Sequence, residues 1–181
     1  TETDFAAKNE VFLDFMDEIG NFSLTVMDSN ISISEFNNLK FNDVIISDLF
    51  KNIISKIGEN IILSKLIFIE NKDQCLISSY IHNSYRQNIG KIAVVLKSKV
   101  KNIDNDAKNI GKNLCMHIAA SKPLAMKVED LDLSLVNREK EVQLETIRAS
   151  GKPDNIVDKI LEGKMQKFYS ESVLLNQQYY F

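Results

Sequence analysis

Two stretches near the start of the chain carry apolar residues at helical spacing. The first spans residues 7–19, and its apolar stripe consists of Val11, Phe15 and Ile19, with Phe12 and Met16 beside it. The second spans residues 43–57, and its stripe consists of Ile46, Leu49, Phe50, Ile53 and Ile57. This periodicity predicts two amphipathic helices, and Gly58 is a suitable left-handed cap for the second. Residues 20–42 are polar and rich in Asn, which predicts a loop or a short helix.

The pattern changes after Gly58 to stretches that are rich in Ile, Leu and Val. These stretches are residues 60–70, 74–82 and 90–97. A short polar turn at 71–73 separates the first two, and a longer polar tip at 83–88 separates the last two. This alternation predicts three consecutive strands, and therefore a three-stranded antiparallel meander.

Helical spacing returns in the second half of the chain. The predicted helices cover residues 104–121, with the stripe Ile110, Leu114 and Ile118, residues 134–149, and a stretch from residue 153. The stripe of the last one consists of Val157, Ile160, Leu161, Met165 and Phe168, and Gly163 interrupts it. Gly151 and Pro153 predict a stop and a restart. The fold class is therefore α+β: helices packed on an antiparallel sheet, followed by a mainly helical half. We expect parts at residues 1–100, 101–152 and 153–181.

Composition narrows the class of protein. The chain has 181 residues, of which 44% are apolar, and a net charge of −3. We expect no affinity for nucleic acid or anionic lipid, because no positive charge draws the chain to either. No apolar run is long enough for a membrane span, no basic-then-apolar leader is present, and two cysteines make no disulfide scaffold. We therefore expect a cytoplasmic protein, and the start at Thr without Met predicts a fragment or a processed product.

The first ten residues contain an aromatic residue in a notable place. Thr3 or Asp4 can cap a helix that continues through Ala6 and Ala7, and Phe5 lies beside that cap. Phe5 can pack back on its own helix as a hydrophobic staple, which the local pattern favours. Alternatively, it can project outward and anchor a partner protein.

The residues capable of catalysis or metal binding are few. Cys115 and His117 lie two apart on one predicted helix, so their side chains point to different faces and cannot pair. Cys75, His82, Cys115 and His117 lack the spacing of a zinc site. No glycine-rich phosphate loop is present. We expect neither an enzyme nor a cofactor, although a hydrolase that uses His82 or His117 remains an alternative. His117 itself is either a hydrogen-bonded residue at the edge of the core or a contact residue.

Five segments, in order, resemble bacterial elongation factor Ts. They are Thr3-Asp-Phe-Ala6, Ile57-Gly-Glu-Asn-Ile61, Ser79-Tyr-Ile-His82, Met116-His-Ile-Ala-Ala-Ser-Lys-Pro123, and Ser150-Gly-Lys-Pro153 with Glu162-Gly-Lys-Met-Gln-Lys-Phe168. The resemblance runs from the first residue to Gln177. It implies a guanine nucleotide exchange factor whose partner is the GTPase elongation factor Tu.

The resemblance also implies roles for particular residues. Thr3, Asp4, Phe5 and Ala6 would reach the nucleotide domain of the GTPase, help dislodge magnesium and loosen the phosphate loop. Ile92 and Ala93 would make further GTPase contacts, with Ala93 in place of a family Gly, and His117 would contact another part of the GTPase.

Two expectations concern the ends of the chain. The resemblance implies a core fragment, without the N-terminal module and the C-terminal end of the family. It also implies a homodimer through residues 153–181, because this region contributes to dimers in some members of the family. The alternative is that the apolar stripe of the last helix packs on residues 104–120 of the same chain. One alternative function remains open, an interaction domain that binds a GTPase without exchange activity.

Overall fold

The computed structural model describes residues 1–26, 31–71 and 75–179. The chain forms two compact units, Thr1–Gly111 and Lys112–Phe181. The parts expected at 1–100, 101–152 and 153–181 stay a prediction. No helix in the described ranges is both long enough and apolar enough to cross a membrane.

The first unit begins with helices and ends with a long hairpin. The helices are α1 (Asp4–Ala7), α2 (Glu10–Val26), α3 (Ile33–Asn38) and α4 (Ile46–Ile57), and α5 (Asn105–Ser121) contributes to both units. A small hairpin, β1 (Lys40–Phe41) with β2 (Val44–Ile45), connects α3 to α4. The long hairpin consists of β3 (Cys75–Arg86) and β4 (Ile89–Lys99). The two predicted helices are thus confirmed, and the loop or short helix expected at 20–42 contains α3.

The core of the first unit lies among its helices. Its buried members are Phe15, Ile19, Phe36, Ile46, Ile53 and Ile61. Phe36 is completely buried and Phe15 packs edge-on against Phe50, with ring centroids 5.0 Å apart. Full burial of one such side chain is worth about 1.5–3 kcal/mol, so this cluster holds α2, α3 and α4 together.

The predicted three-stranded sheet is wrong. In the described ranges the sheets are two antiparallel pairs, β1 with β2 and β3 with β4. Residues 60–71 are in neither pair; Ile61 is buried, and Leu63 and Leu66 pack on the helical core. The apolar spacing of this segment therefore reflects the burial of alternate side chains. In the part of the chain that the structure describes, the backbone of the segment is not paired with a strand. Residues 72–74, which include most of the predicted turn at 71–73 and the start of the predicted strand at 74, lie outside the described ranges.

The tip predicted at residues 83–88 is also much shorter than expected. Strand β3 continues to Arg86, which pairs with Ile89, so the turn itself consists of Gln87 and Asn88. An irregularity in the register between Ser84 and Arg86 accommodates the polar residues. Asn83 and Asn88 have positive φ values of 50° and 62°. Asn tolerates this backbone region better than most residues, which explains how an Asn-rich stretch stays within a hairpin.

The second unit contains a helical hairpin of α6 (Leu133–Ala149) and α7 (Asp154–Ser172). Gly151 has a φ of +66° in the connection between them, as the sequence predicts. The core consists of Ile147, Leu161 and Met165, with Val157, Ile160 and Phe168 packed against it. Residues of the predicted apolar stripe of α7 therefore pack against α6.

The apolar face of α5 differs from the predicted stripe. Ile110 is 56% exposed, whereas Gly111, Cys115 and Ala119 are buried. A Cβ atom at Gly111 would lie 2.1 Å from Ser78 Oγ. The absence of a side chain at Gly111 thus permits a closer approach of α5 to β3 than a branched residue there would.

Candidate functional site

The segment from Thr3 to Ala7 forms one helical turn. Thr3 is its N-cap, with an extended backbone, and the Thr3 hydroxyl accepts a hydrogen bond from the Ala6 amide at 3.2 Å. The Ala7 amide donates to the Thr3 carbonyl at 3.2 Å. The predicted cap at Thr3 is confirmed, because a Thr hydroxyl satisfies an amide at the helix start that has no partner within the helix.

Phe5 projects from this turn into solvent. Its side chain is 83% exposed, while the next residue, Ala6, is completely buried. The staple interpretation is therefore wrong. A staple residue precedes the N-cap, whereas Phe5 follows Thr3 by two positions and lies inside the turn.

Glu59 holds the start of the turn. Its carboxylate accepts a hydrogen bond from the Thr3 amide at 3.0 Å and a second one from the Thr3 hydroxyl. Gly58, the left-handed C-cap of α4 with a φ of +78°, reverses the chain immediately before Glu59. Through the hydrogen bonds of Glu59, the segment Ile57-Gly-Glu-Asn-Ile61 thus joins the end of α4 to Thr3. The sequence alone did not reveal this role.

Lys91 brings the turn alongside β4. Its ammonium group lies 3.2 Å and 3.4 Å from the two carboxylate oxygens of Asp4. Ala93 is two residues further along β4, so it shares the face of Lys91, and it is exposed. Ile92 is half-buried on the opposite face and pairs with His82. The structure therefore places Ala93 on the strand face that Asp4 contacts.

Arg86 fastens the tip of the long hairpin to α2. Its guanidinium donates to Asp14 at 2.6 Å, to Asp17 at 3.0 Å and also to Glu10. The hydrogen bonds that Arg86 donates to these carboxylates, the one to Asp14 above all, raise the pKa of Arg86 above its usual range, so it keeps its charge. The spacing of positions 10, 14 and 17 puts three acidic groups on one helix face, a signal that sequence reasoning missed.

His117 belongs to the second unit, and its side chain is only 4% exposed. Its Nε2 lies 3.1 Å from Gln177 Oε1, and its ring centroid is 5.8 Å from that of Tyr179. The interpretation of His117 as a hydrogen-bonded residue at the edge of the core is confirmed. A contact between His117 and a partner would require residues 177–179 to move aside.

The residues considered for catalysis were His82, Cys115 and His117. His82 is exposed, and its Nδ1 lies 3.2 Å from the Tyr80 hydroxyl. Cys115 and His117 are both buried on α5. Within the described part of the chain, no group of three or more His, Cys, Asp or Glu residues could hold a metal ion.

Comparison with known proteins agrees with the resemblance. The family model described as "Elongation factor TS" matches residues 2–181. The chain belongs to the elongation factor Ts family. It is 36% identical over 178 residues to elongation factor Ts of Sinorhizobium medicae (strain WSM419), which covers 98% of this chain and 57% of that protein. It is 37% identical over 178 residues to elongation factor Ts of Rhizobium etli (strain CIAT 652), with the same coverage.

This chain of the elongation factor Ts family matches only part of the length of each relative. It spans just over half the length of these curated relatives. All five segments that carry the resemblance lie in the matched range.

Proposed function

We propose that this chain binds the GTPase elongation factor Tu and accelerates the release of GDP during translation elongation. The observation that carries the proposal is the presentation of Phe5, a large aromatic side chain that is exposed on a turn whose other members are held in place. Aromatic residues dominate the binding energy of many interfaces, because they bury a large area at a small entropic cost. Phe5 is thus the proposed anchor, and membership of the family names the partner.

The proposed mechanism requires no chemical catalysis. GDP is held by its GTPase through a magnesium ion and oriented donors around the phosphates, so displacing the ion removes a large local positive charge. The turn Thr3-Asp4-Phe5-Ala6 would enter the nucleotide domain and disturb this site. Exchange follows if the factor binds the nucleotide-free GTPase more tightly than the GDP-bound form.

Two further regions belong to the proposal. Ala93 would contact the same domain of the GTPase as the turn, because it shares the face of β4 from which Lys91 binds Asp4. Ile92, on the opposite face, would make a further contact to the GTPase. His117 would contact another part of the GTPase after Gln177 and Tyr179 had moved aside. A cytoplasmic location and a homodimer through residues 153–181 are part of the same proposal.

The test is to mix the chain with elongation factor Tu that is loaded with a fluorescent GDP. We expect the dissociation rate of the nucleotide to rise with the concentration of the chain and to saturate. Binding without acceleration would support the alternative of an interaction domain. The absence of both binding and acceleration would contradict the proposal.

A further inference from the structure

We propose that Glu59 is a positioning residue that fixes the Thr3–Ala7 turn and thereby the direction in which Phe5 projects. This inference rests on the proposed exchange function and adds a residue to it. Glu59 would act through Thr3, with no contact of its own to the GTPase.

The turn needs an external support. Helix α1 has only four residues, and a single turn does not persist on its own, because nucleation fixes several backbone angles for one hydrogen bond. The burial of Ala6 fixes one point of the turn, but a methyl group provides little area for this purpose. The orientation of the exposed Phe5 must therefore be set by the polar contacts at either side of it.

Of the two polar contacts, the one with Glu59 is better suited to this role. The Asp4–Lys91 ion pair joins two side chains that are 64% and 54% exposed, and exposed pairs of this kind hold geometry weakly. The bonds of Glu59 are also exposed, but Glu59 receives two charge-assisted hydrogen bonds from the same residue, one of them from the backbone amide of Thr3. Two bonds to Thr3, with the Thr3 hydroxyl in turn accepting from Ala6, define the position and the direction of the turn.

The backbone around Glu59 restricts the carboxylate in the same way. Gly58 donates its amide to the Ile54 carbonyl at 2.8 Å and adopts a left-handed conformation, so the exit of the chain from α4 is fixed. Ile61, two residues after Glu59, is buried in the helical core. Glu59 thus extends from a rigid segment to a turn that is not rigid by itself. A preorganised turn loses less conformational freedom when Phe5 binds the partner. Removing the Glu59 carboxylate should therefore slow exchange.

The experiment compares Glu59→Ala and Glu59→Gln with the unchanged chain, using two measurements. The first is 15N relaxation of the amides of residues 4–7 in the free protein. We expect the order parameters to fall in Glu59→Ala from about 0.85 to below about 0.6. The second is the rate of fluorescent GDP release from elongation factor Tu, which we expect Glu59→Ala to slow by up to roughly 10-fold, the loss expected for the anchor Phe5 through which Glu59 acts. Glu59→Gln keeps one acceptor oxygen, so its order parameters and its release rate should lie between those of the unchanged chain and those of Glu59→Ala.

A double-variant comparison separates positioning from direct contact. If Glu59 acts through Phe5, the combination Phe5→Ala/Glu59→Ala should release GDP no more than about 2-fold more slowly than Phe5→Ala alone, because coupled residues are not additive. The matched control is Glu2→Ala, which removes the same charge one residue before Thr3. We expect this control to leave order parameters and release rate unchanged.

The possible outcomes distinguish this inference from the proposed function. A chain that never accelerates GDP release would refute the function, while the relaxation data would still test whether Glu59 orders the turn. With an active chain, unchanged order parameters in Glu59→Ala, or full additivity with Phe5→Ala, would overturn the positioning role. If Glu59→Ala fails to fold by circular dichroism, Glu59→Gln provides the same comparison.

Discussion

At the scale of single residues, Phe5 and Ala6 occupy adjacent positions of one turn but opposite environments. Ala6 is completely buried, and Phe5 is almost entirely in solvent. A folded chain gains nothing from exposing an aromatic ring, because its transfer from water would be favourable. The contacts of Thr3 and Asp4 nevertheless hold the turn that carries it. The proposed partner would account for this exposure, which the stability of the free chain does not favour.

This contrast leads to a prediction for Phe5→Ala. We expect GDP release to slow at least ~10-fold, a loss of about 1.4 kcal/mol or more, because the substitution removes the proposed anchor. The melting temperature of the free protein should barely change, since Phe5 makes almost no internal contact. Stopped-flow fluorescence and thermal denaturation provide the two measurements.

Leu24→Ala is a suitable control for Phe5→Ala, because Leu24 is also a largely exposed apolar residue and lies near the C-terminal end of α2. It should affect neither exchange nor stability. A Phe5→Ala protein that melts at a much lower temperature and exchanges normally would contradict the anchor role.

A second prediction at this scale uses two glycines of different surroundings. A Cβ atom at Gly163 of α7 would meet no atom within 4 Å apart from its chain neighbours and the backbone of its own helix. Gly163→Ala should therefore raise the free energy of unfolding by up to ~1 kcal/mol through helix propensity alone. Gly111→Ala should lower it by about 1–3 kcal/mol, because the new methyl group overlaps Ser78.

Urea denaturation of both variants measures these changes. The combination Gly111→Ala/Ser78→Gly removes the side chain that the methyl group would meet, so it should recover part of the loss at Gly111. If Gly111→Ala were as stable as the unchanged chain, the close approach of α5 to β3 would be refuted.

At the scale of the elements, the start of α3 is defined by a reciprocal cap. The Ser32 hydroxyl accepts from the Glu35 amide at 3.2 Å, and the Glu35 carboxylate accepts from the Ser32 amide at 2.8 Å. These bonds lower the pKa of Glu35 from its ordinary value of 4.5, with the backbone bond from Ser32 as the largest cause. The buried Phe36 follows directly, so the cap places a central residue of the core.

The cap predicts an effect of substitution and of pH. Ser32→Ala should lower the free energy of unfolding by about 1 kcal/mol at pH 7. Because the pKa of Glu35 is lower in the folded state, its contribution is complete above pH 4.5 and is lost as the pH falls through the folded value. Denaturation curves between pH 3 and pH 7 should show this component, and Glu35→Gln should remove it. An identical pH profile for Glu35→Gln would contradict the cap.

The sequence predicted the elements well where one physical cause dominates. The helices at 46–57 and 133–149 and the left-handed Gly58 and Gly151 follow from periodicity and from local backbone preference. The segment 60–71 was misjudged, because burial of alternate side chains and strand pairing produce the same pattern. The hydrogen bonds made by Glu59 and Arg86 join positions that are 56 to 76 residues apart in the sequence, and no local pattern specifies such partners.

At the scale of the whole molecule, each unit contains its own candidate contact region. The first carries the turn at Thr3–Ala7 and strand β4, and the second carries His117 beneath Gln177. The residues of the predicted GTPase-binding site therefore belong to both units, and their contacts hold them within each unit separately. Its relation to the GTPase follows from the family resemblance, which no periodicity or spacing could have provided.

The predicted homodimer can now be tested at a defined surface. Residues of the α7 stripe that motivated it pack against α6, and Tyr180 and Phe181 lie outside the described residues. Leu175 is 66% exposed, lies within the predicted segment 153–181, and donates its amide to the Met126 carbonyl at 3.2 Å. Leu124 and Met126 are also exposed, on the segment that the bridge between Ala125 and Val173 joins to this one. Within residues 153–181 we therefore test the predicted dimer at Leu175, because identical apolar patches commonly pair about a two-fold axis.

Sedimentation equilibrium at several concentrations tests this prediction with two variants. Leu175→Glu should shift the equilibrium to monomer without loss of stability, because a charge on each copy would be desolvated in the interface while the free surface stays hydrated. Phe168→Glu provides the contrast: it places a charge against the core of the α6–α7 hairpin and should lower the melting temperature whatever the oligomeric state. A monomer at every concentration would refute the dimer. A dimer that is unaffected by Leu175→Glu would place the interface elsewhere.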